Sequence, residues 1–216
     1  MASMLVVGIG RFGKHLATKL VELGNEVMVV DKNEALVEHI APYVTNALVG
    51  DCMDEEVIAS LGVSNFDVCF VCISDNFQSS LEVTSLLKEA GAAKVVSKTD
   101  REMHAKFLLK IGADAVIHPE RDMAWRTAMR FSTAGAFDYI ELSKDYAIVE
   151  MTPPLSWIGK SLSDLKVRTR FGVNIIGIKD ASGHVRPIVD AAHVFHTDEH
   201  MLIAGNQADV ARLTKK

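Results

Sequence analysis

The stretch MLVVGIGRFG, residues 4–13, decides the fold, because an apolar run leads directly into a glycine-rich turn. Gly8, Gly10 and Gly13 follow the pattern G-x-G-x-x-G. The first glycine permits a tight turn, the second lets an anion approach the backbone, and the third lets the next helix pack close to the sheet. The N–H groups that begin such a helix favour a bound phosphate. The stretch therefore predicts a strand, a phosphate-binding turn and a helix.

Short β-branched runs alternate with amphipathic stretches from this turn as far as residue 118. Strands are predicted at residues 4–8, 26–31, 46–49, 67–73, 94–98 and 115–118, with helices at 12–23, 34–40, 54–61, 78–90 and 101–111. Such alternation indicates right-handed βαβ units. It predicts an α/β domain at residues 1–118 with a doubly wound, parallel six-stranded sheet.

The pattern changes after Pro119. A long helical stretch at residues 120–133 can end at Ala134 and Gly135, and the domain boundary is placed there. Closely spaced strands follow at residues 138–142, 147–151, 173–179 and 201–204, with short helices at 162–166 and 207–213. We therefore predict a crossover helix within residues 119–135 and a small α+β module at residues 136–216.

Composition excludes several classes of protein. The chain has 216 residues, of which 49% are hydrophobic and 24% charged, so disorder and a coiled coil are disfavoured. A formal net charge of −5 argues against nucleic-acid binding, which needs surplus Lys and Arg. We expect no membrane span, because no apolar run approaches ~20 residues. We also expect no signal peptide, because the sequence does not begin with the charged and apolar regions of one. Three cysteines suit a reducing, cytoplasmic interior.

Acidic and polar residues follow several of the predicted strands. Asp31 lies 18 positions after Gly13, where a carboxylate accepts hydrogen bonds from ribose hydroxyls and disfavours the 2′-phosphate of NADP. Asp51 can accept from an adenine amino group, cap the helix at 54–61, or do both. The loop Ser74-Asp75-Asn76 lies at the same carboxyl edge, although it is also a good helix cap.

Charged side chains at this edge add to the site. Arg11 can point at ligand phosphates or toward a neighbouring subunit, and Lys98 supplies a second positive charge. Glu120 can hold a divalent cation near the phosphates or interact with the dipole of its own helix. The predicted nucleotide-binding set is Gly8, Ile9, Gly10, Arg11, Phe12, Gly13, Asp31, Lys32, Asp51, Cys52, Ser74, Asp75, Asn76, Lys98 and Glu120.

Residues for catalysis are harder to find. An oxidoreductase needs an acid or base beside the nicotinamide, and residues 136–216 offer no clear candidate.

Cys69 and Cys72 are expected to pack in the core, because strand residues three apart face opposite sides. His118 is interpreted as a capping or buried histidine. Residues 193–200 contain three histidines and Glu199. We interpret this segment as part of two strands and a polar turn, and not as a metal site. We predict a protein that is not an enzyme, with an NAD-dependent oxidoreductase as the alternative.

Two motifs carry a more specific likeness: GIGRFG at residues 8–13 and IGADAVIHPE at residues 111–120. Together with the module order, they resemble the cytosolic RCK (regulator of potassium conductance) subunits of Ktr- and Trk-type bacterial potassium transporters. The resemblance covers essentially the whole chain. It implies a Rossmann-like N-terminal lobe and a C-terminal lobe in a homodimer that assembles into an octameric ring. Such a ring lies at the inner face of the cell membrane and gates a membrane potassium-transporter subunit.

The resemblance also implies ligands: ATP and ADP in the Ktr-like branch, and NAD(H) in the Trk-like branch. Arg11 matches an arginine that reaches the γ-phosphate of nucleotide in the partner subunit. Glu120 matches an acid near which Mg²⁺ or Ca²⁺ bridges the dimer, and both matches favour ATP over NAD. The apolar side of helix 120–133 suits an intersubunit seam. In the C-terminal lobe, the positions that resemble a cyclic di-AMP pocket are Arg168, Asn174, Ile175 and Pro187.

Overall fold

A computed structural model describes residues 1–74, 76–132, 136–143, 145–187 and 189–214. The chain divides into two compact units, Met1–Arg121 and Asp122–Lys216. The first unit ends three residues after the predicted end of the first domain at residue 118, whereas the second unit begins before the predicted boundary near residue 135. In the part of the chain that is described, every helix is too short or too polar to span a bilayer.

The first unit alternates strands and helices in the predicted order. Its strands are β1 Ser3–Val7, β2 Glu26–Asp31, β3 Asn46–Val49, β4 Val68–Val71, β5 Val95–Lys98 and β6 Ala115–Ile117. Its helices are α1 Arg11–Glu22, α2 Glu34–Ile40, α3 Glu55–Ser60, α4 Phe77–Glu89 and α5 Glu102–Lys110. A longer helix, α6 Pro119–Ser132, begins in this unit. The predicted elements differ from these by one or two residues at their ends, and the predicted helix end at 133–135 lies outside the described residues.

The six strands form a parallel sheet in the order β3-β2-β1-β4-β5-β6. The order reverses between β1 and β4, which opens a crevice at the carboxyl ends of these strands. Successive residues of β1 pack into different cores, since Leu5 and Val7 belong to one buried cluster and Val6 to another. The sheet is thus covered on both faces, and the doubly wound, Rossmann-like prediction is confirmed.

The second unit is a small α+β lobe around an antiparallel sheet in the order β10-β9-β11-β8-β7. Its strands are β7 Ala136–Glu141, β8 Tyr146–Met151, β9 Val173–Lys179, β10 Val185–Arg186 and β11 His200–Asn206. Its helices are α7 Leu162–Leu165, α8 Val167–Phe171 and α9 Gln207–Thr214. The core contains the buried side chains of Trp157, Phe195, Met201 and Ile203.

Helix α8 was not predicted. The sequence predicts one helix at residues 162–166, but Lys166 has a left-handed backbone (φ 48°) that ends α7 and allows a second short helix to begin. Gly172, with φ 73°, then ends α8 and admits β9. The two-residue strand β10 was also missed, because so short a segment has no detectable alternation.

Candidate nucleotide-binding site

A cleft of about 910 Å³ lies at the carboxyl edge of the parallel sheet. It lies at the carboxyl ends of the paired strands β1 and β4, where the strand order reverses, and extends across the ends of β2, β3 and β5. From the predicted set, the residues that line it are Gly8, Gly10, Arg11, Phe12, Asp31, Lys32, Asp51, Cys52, Ser74, Asn76, Lys98 and Glu120. Ile9 and Gly13 lie behind this lining, and Asp75 is outside the described residues.

The glycine turn has the geometry that its sequence predicts. Gly8 adopts φ 86°, a conformation that favours glycine. A Cβ on Gly13 would lie 2.0 Å from the carbonyl oxygen of Gly8, so only glycine lets α1 pack this closely. A Cβ on Gly10 would meet nothing within 4 Å, which leaves the approach to its backbone open. Gly10 is also the N-cap of α1 and provides no side-chain cap, so the helix begins with N–H groups available to a ligand.

Asp31 joins this turn to the end of β2. Its Oδ2 accepts from the backbone N–H of Ile9 at 2.8 Å, and its Oδ1 accepts from Asn33 at 2.9 Å. A carboxylate has about four acceptor positions, so ribose hydroxyls can bind as well. Ile9 therefore contributes through its backbone, while its side chain is buried in the core.

Asp51 does not cap the following helix, and that alternative interpretation is wrong. The N-cap of α3 is Asp54, whose Oδ1 accepts from the backbone N–H of Glu56 at 2.9 Å. Asp51 instead accepts from the backbone N–H of Met53 at 3.0 Å, which fixes the loop after β3 along the cleft. Asn76, in contrast, does cap α4, since its Oδ1 accepts from the backbone N–H groups of Gln78 and Ser79.

Lys98 connects three parts of the site. Only 7% of its side chain is exposed, and its ammonium lies 2.7 Å from Ser74 Oγ and 2.8 Å from Glu120 Oε1. The same nitrogen lies 5.8 Å from the centre of the Phe12 ring. The hydrogen bond from Lys98 is the main reason why the pKa of Glu120 is lowered, and the charge of Arg11 acts in the same direction.

The lining of the cleft includes two buried cysteines. Cys52 and Cys72 line it, yet both side chains are buried, and burial raises the pKa of each thiol to about 12. A thiolate is the nucleophilic form of cysteine, so neither residue has the character of a nucleophile. Cys69 and Cys72 belong to different core clusters, as expected for strand residues that face opposite sides.

Histidines and acids are used for internal contacts. His118 is buried, as predicted. His193 Nε2 lies 2.9 Å from Glu199, whereas His200 Nδ1 lies 2.7 Å from Glu150, so these two histidines face different carboxylates. Among the residues that the structure describes, no group of three or more His, Cys, Asp or Glu could hold a metal ion.

The residues of the predicted second ligand site lie in the C-terminal lobe. Arg168 on α8, Asn174 on β9 and Pro187 after β10 are exposed, and Ile175 is half-buried. A separate cavity of about 320 Å³ in this lobe is lined by Ile178, Arg186, Val189, Asp190, Ala192 and His193. It includes none of the four predicted residues.

Sequence reasoning missed parts of the cleft wall. Leu36 in α2 and Met53 after Asp51 are exposed apolar side chains that line it, together with Asn33 and Ser79. Leu36 follows the N-cap Asn33 by one helical turn, which is the signal that could have placed it at the ribose carboxylate.

The fold is that of a two-lobed protein with a Rossmann-like N-terminal lobe, and family models match both lobes. Residues 4–119 match the TrkA-N domain and residues 146–216 match the TrkA-C domain. The chain belongs to the family of TrkA and Ktr potassium uptake proteins.

Relatives match over nearly the full length. Ktr system potassium uptake protein C of Bacillus subtilis (strain 168) is 38% identical over 212 residues, which is 98% of this chain and 95% of that protein. Ktr system potassium uptake protein A of the same organism is 36% identical over 207 residues, which is 96% and 93% of the two chains. Its namesake from Vibrio alginolyticus is 31% identical over 210 residues, or 97% and 95%.

Solved structures share the fold. The GsuK channel superposes with a TM-score of 0.72 at 20% identity, over the whole of this chain and 40% of the channel chain. The GsuK channel bound to NAD gives a TM-score of 0.70 at 21% identity, again over the whole of this chain and 40% of the other. This chain thus spans less than half the length of these channel proteins, and the likeness concerns the fold.

Proposed function

We propose that the chain is a cytoplasmic regulatory subunit, not an enzyme, that binds ATP or ADP and thereby regulates a membrane potassium-transporter subunit. The observation that carries the proposal is the cleft, which combines an open glycine turn, the carboxylate of Asp31 and the cations Arg11 and Lys98 at one sheet edge. The potassium uptake proteins to which the chain is related supply the transport context.

The cleft suggests how an adenine nucleotide is held. Asp51 accepts from the adenine amino group, while Leu36 and Met53 form apolar walls for the base. Asp31 binds the ribose hydroxyls, and the phosphates lie over Gly10 at the N-terminus of α1. The remaining predicted residues of the set, including Asp75, are proposed to complete this site.

ATP and ADP differ only in the γ-phosphate, so discrimination requires a group that contacts it. Arg11 lies in the glycine turn, is exposed and lines the cleft, so its guanidinium can reach a phosphate bound in its own or a neighbouring subunit. A contact made with ATP alone is the differential interaction that shifts a conformational equilibrium.

Helix α6 supports assembly. Its apolar residues Met123, Ala124 and Ala128 are exposed, Thr127 on the same helix is exposed too, and Phe131 is 80% exposed. Unless a partner covers them, these side chains cost hydrophobic free energy. We propose that they form the seam of a homodimer, that dimers assemble into an octameric ring, and that the ring lies at the inner face of the membrane. The crossover segment at 119–135 then separates domains 1–118 and 136–216.

Two further ligands belong to the same proposal. The carboxylate of Glu120 is 63% exposed at the cleft and offers an oxygen ligand for Mg²⁺ or Ca²⁺, whose other ligands are phosphates and water. In the C-terminal lobe, Arg168 offers a guanidinium for phosphate, and Asn174, Ile175 and Pro187 complete a surface for cyclic di-AMP.

Calorimetric titration of the purified chain with ATP, ADP, AMP and NADH tests the proposal. We expect ATP and ADP to bind and to change the hydrodynamic size of an oligomer larger than a dimer. Co-purification with a membrane potassium-transporter subunit would identify the partner. Preferential binding of NADH, with hydride transfer to a small substrate, would instead establish an oxidoreductase, the alternative that the ribose carboxylate Asp31 also accommodates.

A further inference from the structure

The ammonium of Lys98 is shared by three segments that a nucleotide would touch. It bonds to Ser74 Oγ after β4 and to Glu120 Oε1 in the first turn of α6, and it lies near the ring of Phe12 in α1. With 7% of the side chain exposed, the ammonium has lost most of its hydration. A buried cation is costly unless an anion accompanies it, and Glu120 supplies that anion.

The charge of the cleft limits what an incoming anion can do. Among the described residues that line it, three cations (Arg11, Lys32, Lys98) are balanced by three carboxylates (Asp31, Asp51, Glu120). A polyphosphate therefore enters a site with no surplus of positive charge. A phosphate can take hydrogen bonds from the backbone of the glycine turn and from Arg11, but at Lys98 it meets a buried ammonium that is already bonded to Glu120, whose side chain is exposed.

We propose that Lys98 is the positioning residue through which nucleotide phosphates act on α6, because a phosphate and the Glu120 carboxylate compete for its ammonium. This inference rests on the proposed function. A phosphate that takes the hydrogen bond releases Glu120, which is then available to another cation. Adenosine lacks the competing charge and leaves the Lys98–Glu120 pair intact. The first turn of α6 thus responds to the phosphates rather than to the base.

A double-mutant cycle tests the competition, using Lys98→Met, Glu120→Gln and the double variant of the full chain. Binding of ATP and adenosine is measured by calorimetry in EDTA, so that no divalent cation contributes. We expect Glu120→Gln to raise ATP affinity about fivefold, since one competing charge is removed. Lys98→Met should lower ATP affinity, and the gain from Glu120→Gln should vanish in its presence. Adenosine affinity should be unchanged throughout.

Glu102→Gln is the matched control, because Glu102 pairs with Arg121 of α6 but does not line the cleft. It should leave ATP affinity unchanged. Hydrogen exchange of α6 amides provides a second readout: saturating ATP should alter exchange in the wild type, adenosine should not, and Lys98→Met should abolish the ATP effect.

The possible outcomes distinguish failure of the proposed competition from failure of the proposed function. The proposed competition for Lys98 would be wrong if Glu120→Gln left ATP affinity unchanged or lowered it. It would also be wrong if Glu120→Gln raised ATP affinity equally in the presence and absence of Lys98. Either result would leave the proposed nucleotide site in place. An equal gain for adenosine would also overturn the proposed competition, since the effect would not depend on phosphate. If the wild-type chain bound neither ATP nor ADP, the proposed function itself would fail, and the competition with it. Thermal unfolding of each variant establishes that it is folded before binding is compared.

Discussion

Asp31 Oδ2 accepts a hydrogen bond from the backbone N–H of Ile9 at 2.8 Å. The carboxylate that ends β2 therefore holds the glycine turn that follows β1, and its second oxygen holds Asn33 at the start of α2. One side chain thus fixes the two loops that are proposed to bind ribose and phosphate.

Asp31→Asn should weaken both functions of this carboxylate. An amide offers only one oxygen to the two backbone donors, Ile9 and Asn33, so stability should fall by about 1 kcal/mol. ADP affinity should fall about tenfold, because the charged acceptor for ribose is lost. Asp67→Asn is the control, since Asp67 accepts from Ser3 at the opposite end of β1 and does not line the cleft. Denaturant unfolding and calorimetry measure the two effects, and equal loss of ADP affinity in both variants would contradict the role of Asp31.

Two glycines of the turn should respond differently to alanine. In Gly13→Ala, the new Cβ would overlap the Gly8 carbonyl oxygen, so stability should fall by about 1–3 kcal/mol. In Gly10→Ala the new Cβ has no neighbour within 4 Å and φ is −58°, so stability should change by less than about 0.5 kcal/mol. Nucleotide affinity should nevertheless fall in Gly10→Ala, because the methyl group occupies the phosphate approach. A Gly10→Ala variant that binds ATP normally would place the phosphates elsewhere.

Arg11→Ala should remove discrimination between ATP and ADP. We expect the wild-type oligomer to differ in sedimentation coefficient between the two nucleotides, and the variant to give the same value with both. Adenosine affinity should remain within about twofold, since a base and ribose need no guanidinium. Arg101→Ala serves as the control, because Arg101 is exposed at the N-cap position of α5 and does not line the cleft. A variant whose oligomer still distinguishes ATP from ADP would assign γ-phosphate recognition to another residue.

The C-terminal lobe should lose stability in acid through Glu150. Burial raises the pKa of this carboxyl, but hydrogen bonds from His200 and Lys179 outweigh burial, so its pKa is lowered overall. A group with a lowered folded pKa stabilises the protein above its unfolded pKa, about 4.3 for Glu, and the stabilisation disappears as the pH falls through the folded value. The difference in unfolding free energy between wild type and Glu150→Gln should therefore shrink as the pH falls below about 4.3. A difference that grows in acid would contradict this sign.

Much of the N-terminal lobe follows from local sequence. The strand, glycine turn and helix at residues 4–22 are short-range features, and each glycine has a separate steric reason that can be read without the fold. Asp31 and Lys98 could be placed at the sheet edge because parallel strands end on the same side. Those two predictions depend on the direction of the strands in the sheet and not on any contact between side chains.

The pairings within the site required the folded chain. Glu120 and Lys98 are separated by β6, and nothing in the spacing indicates that one ammonium bonds to both Glu120 and Ser74. The assignment of the α3 cap to Asp54 depended on where the loop after β3 turns, since two aspartates at 51 and 54 are equally good caps in sequence. In the second lobe, the left-handed Lys166 is an unusual conformation for a residue with a side chain, so no propensity predicts it.

Helix α6 has a geometric property that follows from its length. Its 14 residues, at about 1.5 Å each, make a rod of roughly 21 Å that begins beside Lys98. A tilt of about 10° at the first turn would carry its far end through about 4 Å, a distance comparable to the diameter of a side chain. In the proposed competition, the exchange of one hydrogen bond at Glu120 would take place at the near end of this rod, where a small change of direction is multiplied by the length of the helix.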